Sequence, residues 1–588
     1  MNALFQPGQI GALELKNRII MAPMGSNFAE TDGTCGDRIQ SYYEARARGG
    51  AAMLTMGVVS VAFPAGTAEP FQVGLSEDRF IPGLSRLAQR VHQAGARIAV
   101  QLQHAGKTSV RDLAEGRPLW VPSIPPRVTS NMMERLTREE LSAFISQAGR
   151  GRPQIQVMTR DDIATAVSWF SDAAKRAQEA GFDGIEIHGA HTYLIAGFLS
   201  AYTNTREDEY GGPLENRARF MREVIEAIRQ AVGPSMPVWI RLDAQEIGMK
   251  GGITLDDAIA AAQIAKAAGA VAVSVSAYAN LTRGSAFTEA PLVQRPAGFL
   301  DWASTIRAKA EIPVIAAGRL DALTSARAIE SGQADFVALA RKLLADPDLP
   351  NKWREGRMSA VRPCIYCYTC VSQIFVNERV KCAVQPSTGR EYQLVQVPRP
   401  PRSKHLVVIG GGPAGMQAAR TAAERGHKVT LIEKGESLGG SLRLASLAYP
   451  ENQALLDHLV QEMNHPKIEL RLKTNPTVSM LLQLRPDHVF FATGASYSSQ
   501  PQWSGLRDTR VWTGPQLRGL LEGDLSRMPP HLNPLIRYGA WAGSRLGLLK
   551  SIDHLRKAAR VYLPFGQQLA ILGGGLVGLE LAELLVEH

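Results

Sequence analysis

The chain has 588 residues, 45% of them hydrophobic, five cysteines and a formal charge of +10. A chain this long and apolar builds its core without staples, so a disulfide framework of the small secreted kind is excluded, and the charge is too scattered for a nucleic-acid patch. The N-terminus lacks a secretory apolar stretch and no run of about 18 apolar residues occurs, so the expected protein touches no membrane and no nucleic acid and sits in a reducing cytoplasm.

The N-terminal part repeats one unit: a short apolar run, a loop, then an amphipathic stretch. Strands are predicted at 18–24 (RIIMAPM), 52–61, 97–106, 184–191 (GIEIHGAH), 237–244 (PVWIRLDA), 270–277, 313–320 and 336–343. Between them, 82–95 and 161–181 carry apolar residues at helical spacing and end on glycine. Eight strands alternating with helices predict an α/β fold, a (β/α)8 TIM barrel over residues 1–360, whose chemistry sits at the C-terminal strand ends. Those ends read Ala22-Pro23-Met24, Gln101, His188, His191, Arg241, Gly318-Arg319 and Arg341. A long insertion, 122–163, follows the third strand; Thr137 and Glu140 form a capping box for a helix at 138–147, read as a lid over the strand ends.

Next comes a cysteine segment, 361–395, with Cys364, Cys367, Cys370 and Cys382 spaced Cys-x2-Cys-x2-Cys-x11-Cys. Zinc sites pair two short knuckles, whereas three thiolates packed together with a distant fourth suit a [4Fe–4S] cluster; zinc and free thiols are the alternatives. A basic, Pro-rich linker (396–404) leads into a Rossmann-like domain, 405–565. Its strand, Gly410-x-Gly412-x-x-Gly415, helix, strand and Glu433 make a dinucleotide fingerprint, with FAD favoured over ADP. At 566–588 a second fingerprint, Gly573-x-Gly575-x-x-Gly578, opens an NAD(P)-binding fold that these residues do not finish, so this domain is expected to be truncated.

The motifs NRIIMAPM, QLQHAGK, GFDGIEIHGAHTYLIAGFLS, NTREDEYGGPLENR, LARKLLADPDLPNKW and RPCIYC…CAVQPSTGRE, in this order, resemble the old yellow enzyme superfamily. More narrowly they resemble its long FMN/[4Fe–4S]/FAD branch, which includes bacterial 2,4-dienoyl-CoA reductase and trimethylamine dehydrogenase. The resemblance implies FMN along Pro23, Met24 and Gly57, with Gln101 on the pyrimidine edge and Arg241 near N1 and O2. The phosphate is expected on Gly318-Arg319 and Ala340-Arg341, where barrels commonly bind phosphate. It also implies that Gly440, Arg443 and Gly494 continue the FAD site. His188 and His191 would bond a substrate carbonyl oxygen, and Tyr193 would supply a proton. Gly25 stands where trimethylamine dehydrogenase carries the cysteine that attaches its flavin, and Cys35 is read as a bland thiol.

The expected activity is an NAD(P)H-driven, FMN-dependent reduction of activated C=C bonds, with electrons passing through FAD, [4Fe–4S] and FMN to a small-molecule substrate. The alternatives are an amine dehydrogenase or oxidative N-demethylase, and a non-catalytic electron-transfer subunit; a homo-oligomer or an electron-transfer partner stands open. The cysteine spacing predicts about four irons per purified chain. Metal analysis showing zinc in their place would refute it.

Overall fold

The computed structural model describes the chain apart from residues 127–133, 135–137, 139–140, 143–152, 280–287, 289, 293, 396, 399, 496–510, 562, 566–567 and 587–588. Most of the predicted helix at 138–147, and more than half of the lid, lies outside the described residues. Two compact units are formed, Met1–Val397 and Pro398–His588.

In the first unit, eight parallel strands follow the predicted runs: β1 (Ile19–Met21), β2 (Met53–Ser60), β3 (Arg97–Gln103), β4 (Gly184–Gly189), β5 (Val238–Ile247), β6 (Val273–Ala279), β7 (Val314–Ala316) and β8 (Phe336–Leu339). They lie in the order β1-β8-β7-β6-β5-β4-β3-β2, and β1 pairs β2 through Ile20↔Met53 and Met21↔Leu54, which closes the barrel. The first strand and the last two are shorter than the sequence suggested. Gly318 (φ 103°) and Arg319 (φ 58°) turn the chain away after β7, and a helix already begins at Arg341 after β8.

Three of the surrounding helices start on side chains that satisfy free N–H groups, Asp321 capping Ala322–Glu330. Thr159 and Asp162 form a capping box at Arg160–Glu179, as Thr254 and Asp257 do at Leu255–Ala267. Each helix buries its apolar face on the barrel's outer wall. The inner wall has a separate core of Ile20, Met53, Ala99, Trp239, Ala272, Ile315 and Phe336. Into that core pack Ile10, Leu13 and Leu15 of a hairpin, Gly8–Ile10 with Leu13–Leu15. The hairpin closes the end where the strands begin, so the cavity opens only where they finish.

Side chains on a strand alternate with a period of two. Above the apolar layer, the inward positions therefore become Gln101 on β3, Glu186 and His188 on β4, Arg241 and Asp243 on β5, and Ser274, Ser276 and Tyr278 on β6. The short strands Leu119–Val121 and Ile155–Val157 pair in parallel and tie together the two ends of the long insertion.

In the second unit, four parallel strands stand in the order β11-β10-β9-β12: β9 (His405–Ile409), β10 (Lys428–Ile432), β11 (Ile468–Arg471) and β12 (His488–Phe491). The first fingerprint forms the turn between β9 and the helix Pro413–Glu424. A Cβ at Gly410 would lie 2.3 Å from the Ala492 carbonyl oxygen, and one at Gly415 would lie 1.9 Å from that of Gly410. Only glycine fits either place. Position 412, by contrast, meets nothing within 4 Å, so the backbone is open where a pyrophosphate would approach the helix. Gly440 packs over it, a Cβ there lying 3.2 Å from the Gly412 Cα, while Gly494 borders open space and half-buried Arg443 reaches the Leu549 carbonyl. Glu433 at the end of β10 accepts the Gly411 and Gly435 N–H groups, each at 2.7 Å, which sets its carboxylate beside the glycine turn.

The second fingerprint repeats the turn: Gly573 has φ 117°, and a Cβ at Gly578 would lie 2.0 Å from the Gly573 oxygen, with Gly575 open. The apolar run before it, residues 569–572, belongs to no sheet among the described residues. Gly415→Ala is expected to strip the dinucleotide from the purified protein while leaving the mononucleotide content of the barrel unchanged. Chromatography of acid-released flavins measures both.

Candidate active site

A cavity of about 600 Å³ opens at the C-terminal end of the barrel. It brings together Pro23, Met24, Gln101, His188, His191, Tyr193, Arg241, Gly318, Arg319, Ala340 and Arg341, residues separated by more than 300 positions in the chain. Gly57 is the exception. Its N–H is turned to the Tyr43 hydroxyl at 3.3 Å, and the next residue, Val58, lines the cavity in its place.

The middle layer of the barrel orients Gln101. Buried Glu186 accepts hydrogen bonds from Gln101 Nε2 (2.6 Å), Trp239 Nε1 (2.7 Å) and Ser274 Oγ (2.7 Å). With its amide nitrogen committed to Glu186, Gln101 offers its carbonyl oxygen as an acceptor for an N–H donor in the cavity. Arg241 donates through Nη2 to Ser276 Oγ at 3.2 Å, while its Nε is buried without a hydrogen-bond partner among the described residues. A buried guanidinium N–H of this kind is normally paired, so the position calls for an acceptor from a bound group. An acceptor from Gln101, a donor from Arg241 and a cavity this size fit the isoalloxazine of FMN.

His188 is the last but one residue of β4, and the chain then bends through two left-handed residues, His191 (φ 60°) and Thr192 (φ 58°), a conformation that costs energy outside glycine. Asp243 holds the bend, accepting the His191 backbone N–H at 2.6 Å. As a result His191 turns back into the cavity. The His188 ring centre lies 4.9 Å from that of His191 and 4.7 Å from that of Tyr193, and His191 and Tyr193 are 6.3 Å apart. Burial, and then the Arg241 guanidinium, hold His188 well below the usual imidazole range; burial, His188 and Arg241 do the same to His191. Both rings are therefore neutral at pH 7, and each carries one N–H that can donate a hydrogen bond.

The cysteine segment forms one wall of this same cavity. Tyr366, Cys370, Val371, Ile374, Phe375, Asn377 and Val380 line it. Tyr366 lies under the guanidinium groups of Arg319 (4.4 Å) and Arg341 (5.0 Å), and Arg341 also covers Tyr368 at 5.2 Å. Arg319 in addition donates to the carbonyls of Leu292 (2.8 Å) and Gln294 (2.6 Å), so it ties the turn after β7 to the segment that follows β6. Left-handed Tyr366 and Tyr368 curl the backbone between the first three cysteines. Burial pushes the Cys370 thiol up to about 12, with Cys364, Cys382 and Cys367 adding to the shift, which places all four in one neighbourhood. Among the described residues no three His, Cys, Asp or Glu side chains meet closely enough to hold a single metal ion. Cys35 is fully buried and its thiol is raised by that burial, as an inert core residue should be.

Sequence reasoning missed five residues here. Glu186, Asp243, Ser276 and Tyr278 stand at the two-residue spacing of strands already identified, and that periodicity could have found them. Glu69 carries no such signal, since it arrives on a loop. Its carboxyl fills the space beside Gly25, where a Cβ would lie 1.5 Å from Oε1, and burial pushes it up to about 7.

Comparison with known proteins agrees with this geometry. Residues 3–360 match the NADH:flavin oxidoreductase / NADH oxidase family, and residues 404–588 match the pyridine nucleotide-disulphide oxidoreductases. The chain belongs to the NADH:flavin oxidoreductase / NADH oxidase family. It is 36% identical to the NADH oxidase of Thermoanaerobacter brockii over 99% of this chain and 81% of that one. It is 32% identical to the cinnamate reductase of Clostridium sporogenes, over 84% of this chain and 74% of the relative. Among solved structures, a 2-naphthoyl-CoA reductase complex superposes with a TM-score of 0.78 at 29% identity, covering 89% of this chain and 78% of that one. The old yellow enzyme resemblance therefore holds, and the protein is an FMN-dependent oxidoreductase with a nucleotide-binding unit. No helix among the described residues is long and apolar enough to cross a membrane.

The neutral histidines have a consequence for stability. An imidazole whose folded pKa lies below its unfolded value of about 6.5 takes up its proton more readily when unfolded, so stability falls as pH drops through that value, by up to about 1.4 kcal/mol per pH unit. His188→Asn should lessen the loss in urea midpoint between pH 7 and pH 5.5, followed by release of flavin fluorescence. An unchanged loss would show that His188 is not held neutral.

Proposed function

We propose that the barrel site reduces C=C bonds conjugated to a carbonyl group. The observation that carries this reading is the cluster of two neutral histidines and Tyr193 at the open end of a cavity whose base fits FMN. His188 and His191 donate hydrogen bonds to the carbonyl oxygen and draw electron density from the β-carbon. Tyr193, beside both rings, delivers a proton to the α-carbon. Bound FMN supplies the reducing equivalents. Arg241 provides a fixed positive charge against the pyrimidine edge, where negative charge collects on reduction, and the apolar walls keep bulk water from the reacting carbons.

Cys364, Cys367, Cys370 and Cys382 would hold a [4Fe–4S] cluster, which supplies one-electron transfer. The support is their spacing, their shared neighbourhood and the place of Cys370 in the cavity wall. FAD at the first fingerprint and NAD(P)H as reductant complete the route, with a small molecule as the partner and the cytoplasm as the compartment.

A second reading, oxidative N-demethylation, draws on Glu69, a buried carboxyl in the cavity that suits an ammonium group. Anaerobic photoreduction followed by mixing with enones, enoyl thioesters and N-methyl amines separates the two. Enones or enoyl thioesters should reoxidise the flavin, whereas reduction of the oxidised protein by an amine would favour the second. Tyr193→Phe should slow reoxidation by an enone on the order of 10²–10⁴-fold and leave the rate of flavin reduction unchanged. Reoxidation at the native rate would remove Tyr193 from its role.

A further inference from the structure

Two polar contacts at the top of β6 determine which face of His191 meets the substrate. Ser276 is completely buried on that strand. Its Oγ lies 3.2 Å from Arg241 Nη2 and 2.7 Å from His191 Nε2. A guanidinium has donors only, so Ser276 must accept from Arg241. The serine's own hydrogen then needs an acceptor, and among the described residues His191 Nε2 is the one within reach. The alternative, in which Ser276 accepts from both neighbours, strands that hydroxyl hydrogen in a dry interior, which proteins rarely do.

We propose that Ser276 is a positioning residue that fixes His191 in the Nδ1–H tautomer, by relaying the donor character of Arg241 to His191 Nε2. The His191 backbone is held by Asp243, so the ring meets Ser276 from a fixed Cα. His188 is fixed in the opposite sense. Its Nδ1 accepts the Ala190 N–H at 3.3 Å, which leaves the hydrogen on Nε2. The pair therefore grips one substrate oxygen with unlike nitrogens, Nε2–H from His188 and Nδ1–H from His191, and both hydrogens are committed before the ligand arrives. Arg241 also stands against the flavin site, so one serine ties the cation on the cofactor side to a donor on the substrate side.

This inference rests on the reading that the histidines hold the substrate oxygen, and the test separates the two. The probe is 4-nitrophenol, an enolate mimic, titrated calorimetrically into the oxidised, FMN-loaded full-length chain; flavin content and absorbance report folding. Ser276→Ala should weaken binding about tenfold, the effect of losing one hydrogen bond worth about 1.4 kcal/mol, and Ser276→Thr should restore it. In a His191→Asn background, where the amide donates without any tautomer to fix, Ser276→Ala should change the affinity by less than about twofold. An equal loss in both backgrounds would reduce Ser276 to a packing role and overturn the proposal. If His191→Ala weakens binding and Ser276→Ala does not, the relay fails while the grip stands; if neither matters, both fail. The ring-nitrogen chemical shifts of His191 in the native protein, labelled with 15N-histidine and assigned by difference from His191→Asn, give an independent readout should Ser276→Ala not fold. A protonated Nε2 would overturn the proposal outright.

Discussion

The carboxylate of Glu186 sits where four strands bring polar side chains to one level of a closed barrel, and it accepts hydrogen bonds from three of them. Parallel strands in register allow no other arrangement. A period of two on each strand stacks the inward side chains in layers, and the hairpin under Trp239 seals the layer beneath. A buried carboxylate is tolerable only when its lone pairs are occupied, so Gln101, Trp239 and Ser274 are held as firmly as Glu186 is. One level higher the same strands present His188, Arg241 and Ser276. The site inherits its precision from the rigidity of this base.

Charge is distributed above that base so that one cation serves several neighbours. Arg241 offers Nε to the cofactor space and Nη2 to Ser276, and its field helps keep both histidines neutral. A cationic histidine would bind an anion well but would lose the discrimination that a neutral donor keeps for a carbonyl whose charge develops only during reaction. Asp243, pushed up to about 8 by burial, adds little negative charge that could undo this. Burial does most to keep the rings neutral, and the guanidinium that adds to it belongs to the residue whose Nε is left for a bound acceptor.

The eight barrel strands were legible because parallel strands buried on both faces leave contiguous apolar runs, and TIM-barrel logic then placed Gln101, His188, Arg241 and Arg341 at the open end. The return of His191 into the cavity was only partly legible: the end of β4 permitted it, but the left-handed pair at 191 and 192 depends on Asp243, some fifty residues away. Glu69 and the orientation of Gly57 were not legible at all, since loop geometry sets both and no periodicity marks them. Strands β7 and β8, like β1, were overread, and for the last two the reason is related. Apolar character continues past the last ladder hydrogen bond when the chain turns over a cavity and its side chains go on lining it, as Ala317, Leu320 and Leu344 do.

The cysteine segment is more than an appendage to the barrel. Arg46, 0% exposed, donates to Glu391 Oε1 at 2.5 Å and to the Tyr42 carbonyl at 2.8 Å, and stacks on the Tyr42 ring at 3.8 Å. Tyr42 itself lines the cavity. On the other side the Val380 N–H reaches the Ser26 carbonyl at 3.0 Å, and Asn27 Nδ2 reaches that of Glu378, also at 3.0 Å. The loop after β1, which carries Pro23 and Met24, is therefore fastened directly to the segment that carries the four cysteines. Removing one partner of a buried ion pair costs about 3–5 kcal/mol because the other charge is left in a dry interior, so loosening this segment would strain the flavin wall as well. Any group held by these thiols is mechanically part of the active site.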